Sequence, residues 1–254
     1  MASDRVCPVR TDTLPIGKLV ERRPFAHLSW STGFADLDRD IGGFRRGQVW
    51  VITGEPGVGK TMLLCQWAYK LAVDHAFTTV LYGSWVDGLD AYRRWLLGLV
   101  PGLRVGVEPI EDDPRLRDLL RSDLTVSDES YELGPWRDAG VKRRAILIDD
   151  PESKADPVLN SHARQAISSA ANHGAIVIVT SPLRHCFETP VGGTRRRLRH
   201  EWSDTASHIV ELEPTASPRE VDLTVWRNRH GPRTSVALRR QFDDYFTSEP
   251  SHPL

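Results

Sequence analysis

The sequence predicts an α/β fold: a mostly parallel central sheet with helices on both faces and a late antiparallel hairpin at one edge. Three observations predict it. Short apolar or β-branched runs alternate with helical patterns between Gln48 and Ser181, the rhythm of strand–helix–strand units. A glycine-rich turn, "GEPGVGKT" (54–61), sits between the first such run and the first long helical pattern. After Ser207 three β-type runs follow one another closely, which calls for an antiparallel edge rather than further crossovers.

Each element has its own signal. Residues 1–30 read as a lead-in arm, because Pro8, Pro15 and Pro24 interrupt it and no helical period is sustained. In "STGFADLDRDIGGFRRG" (31–47), Phe34, Leu37 and Ile41 share one helical face, and Gly42 with Gly43 ends the helix. "QVWVIT" (48–53) reads as a short buried strand. "TMLLCQWAYKLAV" (61–73) places Leu64, Trp67, Ala68, Leu71 and Ala72 on one helical face. "TTVLYGS" (78–84) is a strand by its β-branched content, and "LDAYRRWLLGLV" (89–100) an amphipathic helix. Residues 101–143 carry the weakest pattern, with one helix opening at Pro114. "AILIDD" (145–150) is a strand ending on acids. A helix follows, capped by Asp156 with Pro157 at its first position and closed by Gly174. "AIVIVTS" (175–181), "SHIVELE" (207–213), "VDLTVWR" (221–227) and "TSVAL" (234–238) complete the strands. The expected organisation is an arm (1–30), one large α/β domain (31–246) and a tail (247–254).

Composition excludes several classes. The 254 residues carry 33 basic and 34 acidic side chains, a net charge of −1, so any nucleic-acid footprint must be local. Cys7, Cys65 and Cys186 are widely spaced, which argues against a metal cluster or a disulfide framework and fits a reducing, cytoplasmic setting. No apolar run approaches the roughly 20 residues of a membrane span, and the first ten residues are polar without a signal-peptide core.

The glycine-rich turn follows the pattern G-x-x-x-x-G-K-S/T, and its residue types have physical reasons. Gly54, Gly57 and Gly59 let the main chain wrap close to a phosphate, with Glu55, Pro56 and Val58 between them. The helix that starts near Lys60 turns its positive end toward the same anion. Lys60 adds a full charge at the β- and γ-phosphates, the Thr61 hydroxyl is suited to coordinate Mg²⁺, and Met62 continues the first turn. ATP with Mg²⁺ is the expected ligand. "AILIDD" supports this, since an apolar strand ending in an acid fixes and exposes a carboxylate. Asp149 is the expected metal ligand, with Asp150 behind it or merely first in the loop.

At this point a resemblance carries more. "STGFADLDRDIGGFRRGQVWVITGEPGVGKTMLLCQWA" resembles the start of the ATPase domain of DnaB-type replicative helicases, within the RecA-like phosphate-loop superfamily. The likeness continues through "DLTVSD", "AILIDD" and "AIVIVTSPL" to "RNRHGP" (227–232), and spans roughly residues 31–246. It implies a RecA-like core, ATP hydrolysis, action on single-stranded DNA and a homo-oligomeric, hexameric ring. It also implies that Arg229 reaches a neighbour's γ-phosphate, with Arg227 as companion cation; read from pattern alone, both arginines are solvated residues at a strand end. RadA-like and KaiC-like relatives share the same core and serve recombination or regulation.

Two departures stand out. The family's glutamate base, at the end of the strand after the phosphate-loop helix, falls on Val86 here. Asp87 is next door and can replace it only if the strand end bends, which Gly88 would permit. The family's glutamine after "TS" is Pro182. These departures keep open a nucleotide-binding scaffold that hydrolyses little.

"LRHCFETPVGGTRRRLRHEW" (183–202) carries Arg184, Arg195, Arg196, Arg197 and Arg199 on a long connection. In RecA-like rings the loop at this position grips single-stranded DNA, and clustered arginines suit that task. The bland alternative is a solvated charge run. Trp50, Trp67, Trp85 and Trp95 are most simply core. Trp136, Trp202 and Trp226 are better explained by packing than by base stacking.

Overall fold

The computed structural model describes residues 29–83, 88–103, 113–127, 143–149, 157–182, 187–188, 196–197, 201–229, 231–241 and 245–248. In chain order the elements are α1 (Ala35–Ile41), β1 (Val49–Gly54), α2 (Lys60–Tyr69) with a π-helical extension over Lys70–Asp74, β2 (Thr78–Tyr82) and α3 (Gly88–Gly98). A 3₁₀ turn (Pro114–Leu116) then leads into α4 (Arg117–Arg121), followed by β3 (Leu124–Ser127), β4 (Arg144–Ile148), α5 (Pro157–Asn172) and β5 (Ile176–Pro182). Two short strands, β6 (Phe187–Glu188) and β7 (Arg196–Arg197), precede a second 3₁₀ turn (Glu201–Asp204), β8 (His208–Pro214), β9 (Glu220–Asn228), β10 (Thr234–Gln241) and β11 (Tyr245–Ser248).

Nine strands form one sheet in the order β11-β10-β9-β8-β1-β5-β4-β2-β3. From β8 to β3 every pairing is parallel, and from β8 outward to β11 every pairing is antiparallel. The expected fold class is therefore observed, with a longer antiparallel edge than a single hairpin. The last strand runs to Ser248, and its Phe246 is fully buried.

The two-residue period of β1 explains why it lies at the centre. All six of its residues are buried. Trp50 and Ile52 face one core, with Phe34, Phe44, Leu63, Leu64 and Trp67. Val49 and Val51 face the other, with Ile167 and Ala170 of α5 and with Ile209. The first core is built on edge-to-face aromatic contacts: Phe44–Trp50 at 5.0 Å, Phe44–Trp67 at 5.2 Å and Trp50–Trp67 at 5.6 Å. On the other side of Trp50 the His208 ring stacks at 4.1 Å. The core role expected for Trp50 and Trp67 is observed, and Trp202 is likewise buried. By contrast β9 alternates, with Val221, Leu223 and Val225 buried and their neighbours partly exposed, as an antiparallel strand with one open face should.

Helix α2 was expected to bury one face. It buries more: Met62, Leu63 and Cys65 join Leu64, Trp67 and Ala68. Packed against the central strands, β11 and α3, it has no fully exposed residue.

The lead-in is tied down locally. Asp38 accepts from the Thr32 amide (2.9 Å), the Thr32 hydroxyl (2.7 Å) and the Ser31 hydroxyl (2.5 Å), which fixes the turn that enters α1. Trp30 and Phe44 then exchange main-chain hydrogen bonds across it. Gly43 lies at this crossing with φ +69°, and an added Cβ would sit 2.4 Å from the Trp30 carbonyl oxygen. Gly174 also has positive φ (+87°), but nothing lies within 4 Å of its Cβ position. Gly174→Ala should therefore carry only the backbone cost, about 1 kcal/mol or a melting shift of about 2–4 °C. Gly43→Ala adds a main-chain collision and should lower the melting temperature at least about twice as far, measured by thermal denaturation of the two variants side by side.

Candidate functional site

The phosphate loop leaves the carboxyl end of β1, where Gly54 pairs with Pro182 of β5 and Leu212 of β8. Its glycines adopt conformations that other residues avoid: φ is +150° at Gly54, +78° at Gly57 and +105° at Gly59. Gly54 also needs space, since a Cβ there would meet the Leu212 carbonyl oxygen at 2.5 Å. Lys60 opens α2 and folds back over the loop, its Nζ donating to the carbonyls of Gly54 and Glu55, both at 2.9 Å.

Thr61, one residue on, joins the loop to the acidic strand. Its hydroxyl donates to Asp149 Oδ2 at 2.8 Å. Asp149 follows β4 directly, is buried, and anchors its own amide on the Tyr82 carbonyl at 2.9 Å. Thus the two residues expected to share a metal ion are brought together. Asp149 has two further partners that sequence reasoning missed. The Tyr92 hydroxyl of α3 donates to Oδ2 at 2.7 Å, and the Thr180 hydroxyl of β5 donates to Oδ1 at 2.5 Å. Gly83 makes room for the tyrosine, since a Cβ there would lie 2.6 Å from the Tyr92 ring. The signal for Tyr92 was weak: a tyrosine on the buried face of an amphipathic helix needs a partner for its hydroxyl. No pattern along the chain says which partner.

A pocket of about 320 Å³ opens beside the loop, lined by Gly57, Gly59, Lys60, Thr61, Met62, Trp95 and Arg240. Neither Trp95 nor Arg240 was expected there. Among the described residues no group of three or more His, Cys, Asp or Glu is arranged to hold a metal. The oxygen donors of Thr61 and Asp149, beside Lys60 and a helix start, do fit a hard divalent ion such as Mg²⁺ that also contacts phosphate.

Arg227 and Arg229 lie elsewhere. β9 runs antiparallel to β8, and Asn228 pairs with His208, which pairs with Trp50 at the entry end of β1. Arg229 is therefore at the opposite end of the sheet from the chain's own phosphate loop, a strand length of about 17 Å away. It is exposed; its amide donates to the Ser207 carbonyl at 3.0 Å and its guanidinium to the Asp204 carbonyl. Arg227 donates from Nε to the Ala206 carbonyl at 3.3 Å.

Of the basic connection, Arg196 and Arg197 form β7, paired antiparallel with Glu188 and Phe187 of β6. It departs from β5 at Pro182, on the phosphate-loop edge of the sheet. Arg184, Arg195 and Arg199 lie outside the described residues, as do Val86, Asp87, Asp150 and Asp156.

Removing a hydroxyl from Asp149 should be felt as stability. Tyr92→Phe and Thr180→Val should each cost about 1–3 kcal/mol, read as a lower urea midpoint at unchanged slope. An unaltered midpoint in both would mean that these bonds do not hold the carboxylate.

Comparison with known proteins agrees with this geometry. The family model of the DnaB-like helicase C-terminal domain matches residues 29–95, from Trp30 through the phosphate loop into α3. Among solved structures, an ATPase domain superposes with a TM-score of 0.68 at 17% identity, covering 92% of this chain and 96% of that one. A DnaB-like replicative helicase, described with its interactions with primase, superposes with the same score and identity over 92% of this chain and 67% of its own. No curated protein sequence matches the chain. Residues 29–95 thus match the DnaB-like helicase C-terminal domain, and the chain as a whole shares the fold of these two solved structures.

Proposed function

We propose that this chain is an ATP-hydrolysing motor domain of the DnaB-like helicase kind, acting on single-stranded DNA from within a ring of identical subunits, a hexamer by family resemblance. The observation that carries the reading is the meeting of Thr61 and Asp149 at 2.8 Å beside the phosphate loop, two sequence-distant oxygens aligned where a nucleotide-bound metal is held. The family match over residues 29–95 supports it.

Each residue then has a task. The amides of Gly57 to Thr61 and the α2 amino end hold the triphosphate, and Lys60 turns from the loop carbonyls to the β- and γ-phosphates. Thr61 and Asp149 would hold Mg²⁺, which when bound would supply charge neutralisation at the phosphate oxygens. Asp87, in place of the glutamate that Val86 displaces, orients the attacking water. Arg229 stabilises the charge spreading over the transferred phosphoryl group, and Arg227 accompanies it. The distance of Arg229 from its own loop supports action in trans, so the active site is complete only between subunits. A head-to-tail contact that closes makes a ring. Arg184, Arg195, Arg196, Arg197 and Arg199 contact the phosphates of the strand in the channel.

Turnover with and without single-stranded DNA tests the motor. DNA should stimulate ATP hydrolysis. Replacing Arg195, Arg196 and Arg197 with alanine should remove that stimulation and reduce the salt dependence of DNA binding by a slope of about 2. Tight ATP binding with negligible turnover in either condition would instead identify a nucleotide-dependent scaffold.

The trans reading has a sharper test. Arg229→Ala should lower turnover by about 10³-fold or more, and Lys60→Ala should abolish it. Mixing the two inactive variants should restore activity, because the second supplies arginines to the intact loops of the first. No recovery on mixing, in complexes shown to contain both chains, would place the arginine's action within one chain.

A further inference from the structure

We propose that Arg240 is a positioning residue for nucleotide binding, clamping its own chain's phosphate loop from outside; the proposal rests on the nucleotide-binding reading of that loop. β9 carries the chain away from the loop and β10 brings it back, with Leu238 opposite Val221 and Arg239 opposite Glu220. Arg240 is thus delivered to the loop end of the sheet. Its Nη2 donates to the carbonyls of Val58 at 2.6 Å and Gly57 at 3.2 Å. The guanidinium lies 6.0 Å from the centre of the Phe246 ring, and its Nε is buried with no hydrogen-bond partner among the described residues.

The clamp is itself supported. Phe246 packs against Gly59, where a Cβ would meet the ring at 2.8 Å. The main chain of Phe246 is held at both ends by one side chain: its amide donates to Gln66 Oε1 and its carbonyl accepts from Gln66 Nε2, both at 2.9 Å. The loop is therefore braced against β10 and β11 through an arginine, a ring and a glutamine of the helix it opens.

Peptide geometry gives the brace a purpose. A trans peptide sets each carbonyl antiparallel to the next residue's N–H. A cation on the Val58 carbonyl turns the Gly59 N–H away from it, toward the side on which an anion is bound. It also offsets the carbonyl dipoles, which otherwise weaken the positive field of the loop. Lys60 occupies the carbonyls of Gly54 and Glu55, so Arg240 covers the half of the loop that Lys60 does not. Because it holds main chain rather than phosphate, it should act alike on any nucleotide that uses the loop.

Calorimetry on the full chain with Mg-ATP and with Mg-ADP tests this. Arg240→Met should weaken both about tenfold, while Arg240→Lys should remain within about threefold of the parent. KM for ATP should rise with the same factor while kcat changes less than about twofold. Unchanged affinity in Arg240→Met overturns the proposal. A loss confined to ATP also overturns it, because the arginine would then be contacting the γ-phosphate. If Arg240→Met does not fold, hydrogen exchange in Arg240→Gln decides: amides of residues 57–60 should exchange faster than in the parent, and equal protection rejects the clamp. Should the unaltered chain bind neither nucleotide, the nucleotide reading itself fails.

Discussion

A buried carboxylate must find hydrogen-bond donors, and the satisfaction of Asp149 is the constraint on which this site depends. β1 and β4 are not neighbours, because β5 runs between them. The loop that follows β1 and the acid that follows β4 therefore cannot be aligned by a shared ladder. The alignment is made by side chains: Thr61 reaches across from α2, Thr180 rises from the intervening β5, and Tyr92 descends from α3. Three elements converge on one carboxyl group, so a shift in any of them is a shift in the geometry presented to nucleotide.

The packing around α2 makes that convergence rigid. Its flanks are buried all round, and its Trp67 joins Phe44 and Trp50 in a cluster beneath the loop. Close-packed interiors do not deform smoothly. The lead-in segment contributes at the same place, since Phe34 and Phe44 bring the turn held by Thr32 and Asp38 against the strand that carries the loop. A short motif at the surface thus stands on a core assembled from three separate parts of the chain.

What was legible in the sequence was contiguous. The phosphate loop, the helix after it, the acidic strand and the parallel strands other than β3 each declare themselves within a dozen residues, and the structure moves their ends by only a residue or two; β3 (Leu124–Ser127), in the weakly patterned stretch 101–143, was missed. What was not legible depends on contacts between distant residues. Tyr92 looks like any aromatic on an amphipathic helix until Asp149 is seen opposite its hydroxyl. Arg240 follows Arg239 just beyond "TSVAL", where nothing in the sequence singles it out. "YFTS" is too short to show a period, so the segment beginning near Thr247 reads as a tail although β11 extends to Ser248. The extent of α2's burial was hidden for another reason: Met62 and Cys65 fall off the main apolar face, and only packing against elements distant in sequence covers them.

The path of the β9–β10 hairpin links these observations. One end of it carries Arg229, out of reach of its own loop, and the other carries Arg240, in contact with that loop. β10 is eight residues long, about 25 Å of paired strand. Such a ladder moves as a unit, because bending it breaks the hydrogen bonds that define it. On the proposed reading, the same hairpin touches its own subunit's loop at one end and presents at the other the residue that completes the neighbour's site. A finger on an isolated loop would lose its position to conformational freedom; one carried at the turn of a hairpin whose return strand braces the loop does not.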